Sequence, residues 1–464
     1  MTAILCPIRC AAIEYETIPA IVTESTAWTY LEIDNLVTTI TQNLINFGIK
    51  EGNRVAFVAI PTVESIALLF ALFRVGAIGV PLYPKDPSTQ HYRIAEDVDV
   101  SALIWDGPIL DTSRQIISLK MLTTAVKITR NEPVLACDQP CVMVRTSGTQ
   151  GSPKFAVLSI GNLYYSALGV LDRIPLSPAQ RWLLSVPIHH VSGIGILVRT
   201  FISSATVALP SASETILENA YRLSPSHLSV VPTQLNRILN DPSFKNHQWG
   251  WQTVMVSGAP MMGVTYDHVM ATGLPIMSAY GLTEMSSAVT LGQPMFRNDG
   301  GKILPFRDLR IGPNDEIQVR GKTLFLGYWL PSGYMSLPLT ADGWFSTGDT
   351  GRFDNGGVEI RGRLDDIIIS GGENIHPSEI ESAIGACFPQ EKILVFGIPN
   401  PEFGERPIVA LGEPVPLATL HAALSNMLPS FKYPDRVIDW QPEWDQWPKI
   451  SRKKVAQWVC EGRS

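Results

Sequence analysis

A run of small, hydroxyl-bearing and cationic residues, RTSGTQGSPKFAV at positions 145–157, has the composition of an anion-binding loop. Its glycines let backbone N–H groups approach a ligand closely, its hydroxyls add donors, and Lys154 supplies a positive charge. A Walker loop needs G-x-x-x-x-G-K-[ST], whereas here Gly151 follows Gly148 by three residues and Pro153 separates it from the lysine. Proline also prevents a helix from continuing through the lysine. The run predicts a mobile, hairpin-like phosphate loop, with an ordinary Gly-Ser turn as the alternative.

Composition narrows the class of partner. The chain has 464 residues, of which 45% are hydrophobic and 17% charged, as expected of a globular protein with about two to four domains. Its formal net charge is −7 and no segment provides the basic face that a nucleic acid requires. We therefore expect a small-molecule partner and no nucleic acid.

Neither the cysteines nor the hydrophobic segments point to a secreted or membrane protein. Six cysteines in a chain of this length do not make a disulfide framework, and no pair has a second pair or a histidine cluster at zinc spacing. The N-terminus lacks the basic start and long apolar run of a signal peptide. The most hydrophobic stretch is interrupted by Glu64 and Arg74, so it predicts a buried helix followed by a buried strand. We expect a cytoplasmic protein that does not enter a membrane.

The elements that must position the loop alternate between strand-like and helical patterns. RVAFVAI, VESIALLFALFRVG and AIGVPLYP predict the first strand, helix and strand of a βαβ series, and the series resumes after the loop. The predicted fold is therefore α/β, with a largely parallel, covered sheet. After residue 300 short alternating strands predict an antiparallel region. We place a domain boundary at 362–366, which gives a large domain at 1–362 and a small α+β domain at 363–464.

Six motifs follow one another along the chain: TSGTQGSPK, PIHHVSG, AYGLTE, STGD, GRLDDIIISGGENIHPSEIE and PKISRKK. Their order resembles that of the adenylate-forming superfamily of acyl-CoA synthetases, amino-acid adenylation domains and luciferases, from about residue 26 to 458. The resemblance implies a large ATP- and acid-binding domain and a small mobile C-terminal domain. It also implies attack of a carboxylate on the α-phosphate of MgATP, which releases pyrophosphate and leaves an acyl-adenylate.

The resemblance assigns the nucleotide-binding residues. Those expected at the phosphates are Thr146, Ser147, Gly148, Thr149, Gln150, Gly151 and Lys154. Those expected at the nucleoside are Tyr280, Gly281, Thr283, Asp349 and Arg363. Glu284 would hold Mg²⁺, and Lys449 would bridge the carboxylate and phosphate oxygens during adenylation. Gln150 stands where the family usually has Ser or Thr, but an amide can still donate to phosphate.

The small domain implies a second step. In this superfamily it rotates after adenylation, and the thiol of coenzyme A then attacks the acyl-adenylate with AMP as the leaving group. Asp365, two residues after Arg363, matches the hinge. A hinge residue absorbs the backbone change and needs no contact with substrate.

The acid is indicated by PIHHVSG and the residues after it. Amino-acid adenylation domains carry an ammonium-binding aspartate in this region, which this chain lacks. His190 matches the aromatic residue that acyl-CoA and aryl-CoA ligases place beside the reacting carboxylate, while His189 has no assigned role. Gly258 of VSGAP is expected at the acid site by the same resemblance.

Four segments are similar to those of the o-succinylbenzoate:CoA ligase family of menaquinone biosynthesis: LLSVPIHHVSGIGILVRTFISSA, HLSVVPTQLNRIL, AYGLTEMSSAVT and KISRKKVAQWV. That likeness implies that Ser192 and Arg199 recognise a second carboxylate, which needs a cation or hydrogen bonds in an apolar pocket. The alternative for Arg199 is a place on the helix surface. The alternative functions are a benzoate or 4-chlorobenzoate CoA ligase and a non-catalytic relative, and the sequence leaves open whether the chain forms a homo-oligomer.

Overall fold

The computed structural model describes residues 2–107, 112–128, 132–146, 154–244, 247, 249–259, 263–296, 298–330, 333, 335–390, 392–425, 427–447 and 450–462. The helices are α1 (Pro7–Glu14), α2 (Tyr30–Asn46), α3 (Val63–Val75), α4 (Ser88–Asp97), α5 (Leu119–Leu122), α6 (Ile160–Arg173), α7 (Val191–Ile202), α8 (Ile216–Leu223), α9 (Pro232–Asn240), α10 (Gly263–Thr272), α11 (Pro377–Cys387), α12 (Leu417–Leu424) and α13 (Arg452–Cys460).

The strands of the first half are β1 (Ala3–Leu5), β2 (Pro19–Val22), β3 (Ala27–Thr29), β4 (Arg54–Val58), β5 (Ile78–Leu82), β6 (Ala102–Ile104), β7 (Gln115–Ile117), β8 (Val134–Ala136), β9 (Pro140–Thr146), β10 (Lys154–Ser159), β11 (Arg181–Leu183), β12 (Thr206–Ala208), β13 (His227–Val230) and β14 (Thr253–Val256). Those of the second half are β15 (Ile276–Leu282), β16 (Ser287–Gly292), β17 (Lys302–Ile303), β18 (Arg307–Ile311), β19 (Glu316–Gly321), β20 (Gly327–Trp329), β21 (Met335–Ser336), β22 (Phe345–Asp354), β23 (Gly357–Arg363), β24 (Ile368–Ser370), β25 (Glu373–Ile375), β26 (Ile393–Asn400), β27 (Gly404–Leu411) and β28 (Arg436–Asp439).

Two mixed sheets with parallel centres form the body of the large domain, so the predicted α/β class is confirmed. One has the strand order β21-β20-β10-β9-β5-β4-β6-β7, and the other β17-β16-β15-β14-β13-β11-β12-β2-β3. Strands β5, β4 and β6 run parallel in the first sheet, as β11, β13 and β14 do in the second. The predicted buried helix is α3, which is buried along nearly its whole length because apolar residues cover every face.

The antiparallel region predicted after residue 300 is a four-stranded sheet of order β18-β19-β22-β23. The run EIQVRGKTLFLGYWL at 316–330 predicts that its GYW segment also belongs to this sheet. Instead, β20, which contains GYW, pairs antiparallel with β10 of the first large sheet. A hydrophobic strand pattern fixes which residues face a core but does not say which strand will be the neighbour. This pairing places the GYW segment next to β10, the strand that follows the glycine-rich loop.

The residues after Asp366 build a sheet and two apolar clusters of their own. Strands β25, β24, β27 and β26 form the sheet, and β28 adds to β27 in parallel. Ile380 and Ile384 are four residues apart, a spacing that predicts one shared helix face, and the first cluster gathers around these two residues of α11. The other cluster gathers around Trp444 and Val455. Separate cores support the domain boundary that we propose at 362–366. None of the described helices combines the length and apolar character needed to cross a membrane.

An ionic cluster fixes the start of α13 within the small domain. Arg452 Nη1 lies 3.0 Å from Asp366 Oδ2, and Nη2 lies 2.8 Å from both carboxylate oxygens of Glu381. Arg452 Nε donates to the Val395 carbonyl at 3.0 Å. Glu381 is only 3% exposed, so Arg452 is the cation that compensates a buried carboxylate.

We expect Arg452→Met to destabilise the small domain by about 3 kcal/mol, because it leaves the Glu381 carboxylate buried without its cation. Hydrogen exchange of the α11 and β26 amides, read by mass spectrometry, measures this locally. Lys392→Met is the matched control, since it removes an exposed ion pair with Asp445 in the same domain. Unchanged protection in Arg452→Met would contradict the assignment.

Candidate active site

The two described ends of the glycine-rich run face each other across an antiparallel pair. Thr146 ends β9 and Lys154 begins β10, and the two residues are direct partners in the ladder. The Thr146 hydroxyl donates to the Lys154 carbonyl at 3.3 Å. The flanks therefore form the predicted hairpin. Its tip lies outside the described residues, including the predicted phosphate-binding residues Ser147, Gly148, Thr149, Gln150 and Gly151.

Glu284 lies in a short 3₁₀ turn, Thr283–Met285, between β15 and β16. The Tyr328 hydroxyl of β20 donates to Glu284 Oε1 at 2.5 Å. Lys154 Nζ lies 5.0 Å from the centroid of the same tyrosine ring. Two residues predicted for the metal and the phosphates therefore meet at a third that the sequence analysis did not assign.

The residues predicted to bind the nucleoside also converge. The Tyr280 hydroxyl donates to Asp349 Oδ2 at 2.8 Å, and Arg363 Nη1 lies 2.8 Å from Asp349 Oδ1. Asp349 and Arg363 are direct partners on β22 and β23, so the pair is set by sheet register. Burial and the nearby Asp349 charge raise the pKa of Tyr280 well above its usual range, which keeps its hydroxyl a donor.

Close backbone approaches explain two of the predicted glycines. Gly281 lies at the irregular pairing of β15 with β16, where an added Cβ would lie 2.2 Å from the Ser287 carbonyl oxygen. Any side chain at this position would push the two strands apart beside Glu284. Gly258 follows β14 with φ +90°, a left-handed conformation that glycine adopts without strain.

A cluster of three tilted rings lies where α7 begins. The rings of His189 and His190 are 4.2 Å apart, and the Tyr83 ring lies 4.8 Å from His189 on another side. His190 is the N-cap residue of α7, and Ser192 lies in the helix's first turn. Burial and the neighbouring His190 lower the pKa of His189 to about 4, so His189 is a neutral ring at neutral pH. It packs beside the ring expected at the reacting carboxylate.

Arg199 lies on the buried face of α7 and is only 2% exposed. The alternative that placed it on the helix surface is therefore wrong. The guanidinium lies 4.5 Å above the Trp182 ring, which stacks on His227 at 5.1 Å. Nε donates to the Gly195 carbonyl at 3.0 Å, but Nη1 has no hydrogen-bond partner among the described residues. Burial lowers the pKa of Arg199 to about 9, which reflects a charge held without compensation.

The C-terminal candidates are only partly described. Lys449 lies outside the described residues, two positions before Ser451, the N-cap of α13. Asp365 lies in a 3₁₀ turn, Leu364–Asp366, directly after β23. The turn links Arg363, which contacts Asp349, to Asp366, which contacts Arg452. This is where the hinge was predicted.

The sequence analysis missed two residues that the fold brings to the site. Tyr328 belongs to the GYW segment, which the sequence pattern placed in the antiparallel sheet and not beside β10. Its position after a glycine was the only local signal that could have marked it as a site residue. Trp182 stands in the run RWLLSVPI at 181–188, whose pattern predicts a strand but gives the tryptophan no role at the site. Its role under Arg199 depends on how α7 packs across β11, which no local pattern reports. Both are aromatic residues beside cations, a pairing favoured in desolvated sites.

Few protein side chains of the site could bind a metal ion directly. Among the described residues, no group of three His, Cys, Asp or Glu side chains is close enough to hold an ion. One carboxylate such as Glu284 still fits Mg²⁺, which is usually bound by one or two carboxylates, several waters and substrate phosphates.

Comparisons with known proteins find relatives in sequence and in fold. The 2-succinylbenzoate–CoA ligase of Salmonella typhimurium is 31% identical over 420 residues, covering 89% of this chain and 89% of that protein. A structure of E. coli MenE with a bound m-phenylether-linked analogue of OSB-AMS matches with a TM-score of 0.84 at 27% identity, over 98% of this chain and 99% of that chain. The o-succinylbenzoate coenzyme A synthetase of Bacillus subtilis, solved in complex with ATP and magnesium ion, shares the fold with a TM-score of 0.83 at 23% identity, over 95% of this chain and 96% of that chain.

The family assignment follows from the sequence match and is consistent with the site. Residues 9–329 match the family described as AMP-binding enzyme, and these residues contain the glycine-rich hairpin, His190, Arg199 and Glu284. The match spans more than half of the chain, and the Salmonella relative exceeds 30% identity over most of both proteins. The chain belongs to the AMP-binding enzyme family.

Proposed function

We propose that the chain is an ATP-dependent acid:CoA ligase that converts o-succinylbenzoate to its CoA thioester through an acyl-adenylate, releasing AMP and pyrophosphate. The observation that supports this acid most directly is the buried, uncompensated guanidinium of Arg199. The proposed setting is the cytoplasm, where ATP and CoA are available, and the proposed pathway is menaquinone biosynthesis.

An isolated buried charge is costly, so a buried cation with an unsatisfied donor is stabilised when an anionic ligand binds to it. Arg307, which is also buried without a carboxylate, donates to backbone carbonyls instead. Arg199 has no carboxylate within ion-pair distance in the described part of the chain, and burial already lowers its pKa to about 9. A guanidinium presents two parallel donors to a carboxylate. The second carboxylate of o-succinylbenzoate supplies such a partner, and a benzoate does not.

The layer beneath Arg199 favours one fixed orientation of the guanidinium. Trp182 Nε1 donates to the Ser229 hydroxyl at 3.1 Å, and the His227 ring stacks on the indole. Burial, with the nearby Arg199 charge, lowers the pKa of His227 to about 4, so His227 adds no second cation. The free donor of Arg199 is therefore the charged group available to the acid.

A monocarboxylic aryl-CoA ligase is not favoured. The acid of such an enzyme has a single carboxylate and needs an apolar pocket around its ring. A buried guanidinium in that pocket would stay without an anionic partner after the acid binds, which is unfavourable. The 2-succinylbenzoate–CoA ligase of Salmonella typhimurium, aligned with most of this chain, supports the dicarboxylic acid. A non-catalytic relative would not need to keep the convergent set of Glu284, Asp349 and Arg363.

In the first half-reaction a carboxylate oxygen of the acid attacks the α-phosphorus of ATP, and the bond to pyrophosphate breaks. Anions must approach a polyanion, so the site has to supply positive charge along the line of attack. By resemblance, Lys449 would bridge the carboxylate and the α-phosphate, while Lys154 would serve the outer phosphates. Bound Mg²⁺, held through Glu284, would neutralise phosphate charge. Asp349 and Arg363 fix the ribose.

In the second half-reaction the thiolate of CoA attacks the acyl carbonyl carbon. The bond between that carbon and the phosphate oxygen breaks, and AMP leaves with its electron pair. We propose that rotation at Asp365 withdraws Lys449 and admits the thiol. Its neighbours Arg363 and Asp366 are anchored to the large and small domains, which leaves two residues, Leu364 and Asp365, to absorb the change.

Replacing Arg199 by methionine separates a substrate role from a structural one. We expect Arg199→Met to raise KM for o-succinylbenzoate about 10- to 100-fold, because charged hydrogen bonds to the second carboxylate are lost. KM for benzoate should not rise. The melting temperature should stay equal or increase, because an unpaired buried cation is exchanged for an apolar side chain of similar length. CoA-dependent AMP formation and thermal unfolding measure these quantities.

The matched control is Arg181→Met on the neighbouring strand residue. Arg181 Nη1 donates to the Leu223 carbonyl at 2.9 Å and does not stack on Trp182. This variant should leave KM for o-succinylbenzoate unchanged. A lower melting temperature with an unchanged KM in Arg199→Met would make Arg199 structural and remove the main support for the dicarboxylic acid.

The two half-reactions should respond differently to Lys449→Ala. We expect adenylate formation, measured by o-succinylbenzoate-dependent exchange of pyrophosphate into ATP, to fall at least about 100-fold, because a cation placed at developing charge is lost. Thioester formation from supplied acyl-adenylate and CoA should persist. Lys453→Ala, an exposed lysine of α13, is the control and should alter neither. Equal loss of both half-reactions in Lys449→Ala would contradict its role.

A further inference from the structure

Tyr328 touches both charged residues expected around the nucleotide phosphates. Its hydroxyl donates to Glu284 Oε1 at 2.5 Å, and its ring lies 5.0 Å from Lys154 Nζ. A carboxylate oxygen only accepts, so in this hydrogen bond the phenol is the donor. One neutral side chain therefore contacts an anion with its hydroxyl and a cation with its face.

The Tyr328 ring packs on a buried phenylalanine that is itself held by a second one. The Phe325 ring, which is 1% exposed, meets it edge-on at 4.8 Å and meets Phe345 at 5.3 Å on another side. Phe325 N also donates to the Glu284 carbonyl at 2.8 Å, so the backbone that carries the carboxylate is tied to the same unit. The phenol and the carboxylate are thus positioned by one rigid cluster before any ligand binds.

The arrangement keeps two opposite charges available. Glu284 and Lys154 both contact Tyr328, yet they do not form an ion pair with each other. A direct pair would leave the carboxylate neutralised and the lysine occupied. A phenol bound to one carboxylate oxygen orients the group while its charge remains, and the other oxygen stays available to a ligand. The aromatic face holds the lysine by cation–π attraction, which is weaker than a salt bridge to phosphate.

We propose that Tyr328 is a positioning residue for the nucleotide: its hydroxyl orients Glu284 for the magnesium of MgATP, and its ring holds Lys154 beside that carboxylate without neutralising it. This inference rests on the proposed function, because it takes Glu284 as the metal-binding carboxylate. Hydrogen bonds that orient a metal ligand typically change metal affinity about 10- to 100-fold when they are removed.

Tyr328→Phe tests the hydroxyl alone, because it preserves the ring that packs on Phe325 and faces Lys154. Titration calorimetry of the full chain gives the Kd for ATP with Mg²⁺ and for ATP in EDTA, with no turnover required. We expect the Kd with Mg²⁺ to rise about tenfold or more and the Kd in EDTA to stay unchanged. Tyr328→Leu removes the ring as well, so it should also weaken ATP binding in EDTA.

Tyr165→Phe is the matched control, since the Tyr165 ring also carries a lysine, Lys322 at 4.6 Å, but away from Glu284. It should leave both Kd values unchanged. Equal weakening with Mg²⁺ and with EDTA in Tyr328→Phe, or no change in either, would overturn the inference. So would a wild-type chain that binds ATP equally well in both conditions. A wild-type chain that prefers MgATP but forms no adenylate from o-succinylbenzoate would refute the proposed function and leave the Tyr328 comparison valid.

Discussion

The structure depends on placing positive charge where anions must meet, without a protein carboxylate that would cancel it. Arg74 and Arg452 are paired with carboxylates: Arg74 lies 2.5 Å from Asp34, and Arg452 is bound by two carboxylates. Arg307 is surrounded by backbone carbonyls. Arg199 differs, because one of its nitrogens is buried without a partner among the described residues. Since uncompensated burial is costly, we propose that the unpaired cation faces the bound acid.

Aromatic residues let the fold retain such cations. Trp182 lies under Arg199, and Tyr328 lies under Lys154. A ring face attracts a cation but leaves its hydrogen-bond donors free for a stronger anionic partner. The exposed pair of Arg320 over Trp344 shows the same contact without this consequence, because water solvates the cation there. Burial distinguishes the Arg199–Trp182 pair from this exposed contact, whereas Lys154 beside Tyr328 is itself exposed and so accessible to a phosphate.

The sequence predicted the parts of the fold that depend on local pattern. Alternating apolar runs located the strands and α3, and the spacing of Ile380 and Ile384 located the buried face of α11. It did not predict that β20 pairs with β10, because strand partners are chosen by long-range packing. Motif order indicated most of the site, but the burial of Arg199 and the contacts of Tyr328 depend on segments far apart in sequence.

The same charge constraint explains why the proposed hinge lies where it does. Arg363 is bound to Asp349 of the large domain, and Asp366 is bound to Arg452 of the small domain. A rotation confined to the two residues between them breaks neither ion pair, so the adenylate pocket and the segment before α13 each keep their geometry. Across the boundary the structure describes contacts of Asn298 with Ser382 and of Thr350 with His376, each at 3.5 Å, and a hydrogen bond from the Ser378 hydroxyl to the Arg361 carbonyl. The proposed rotation would break these contacts, so a change in the charge of the bound ligand has to favour the rotated orientation.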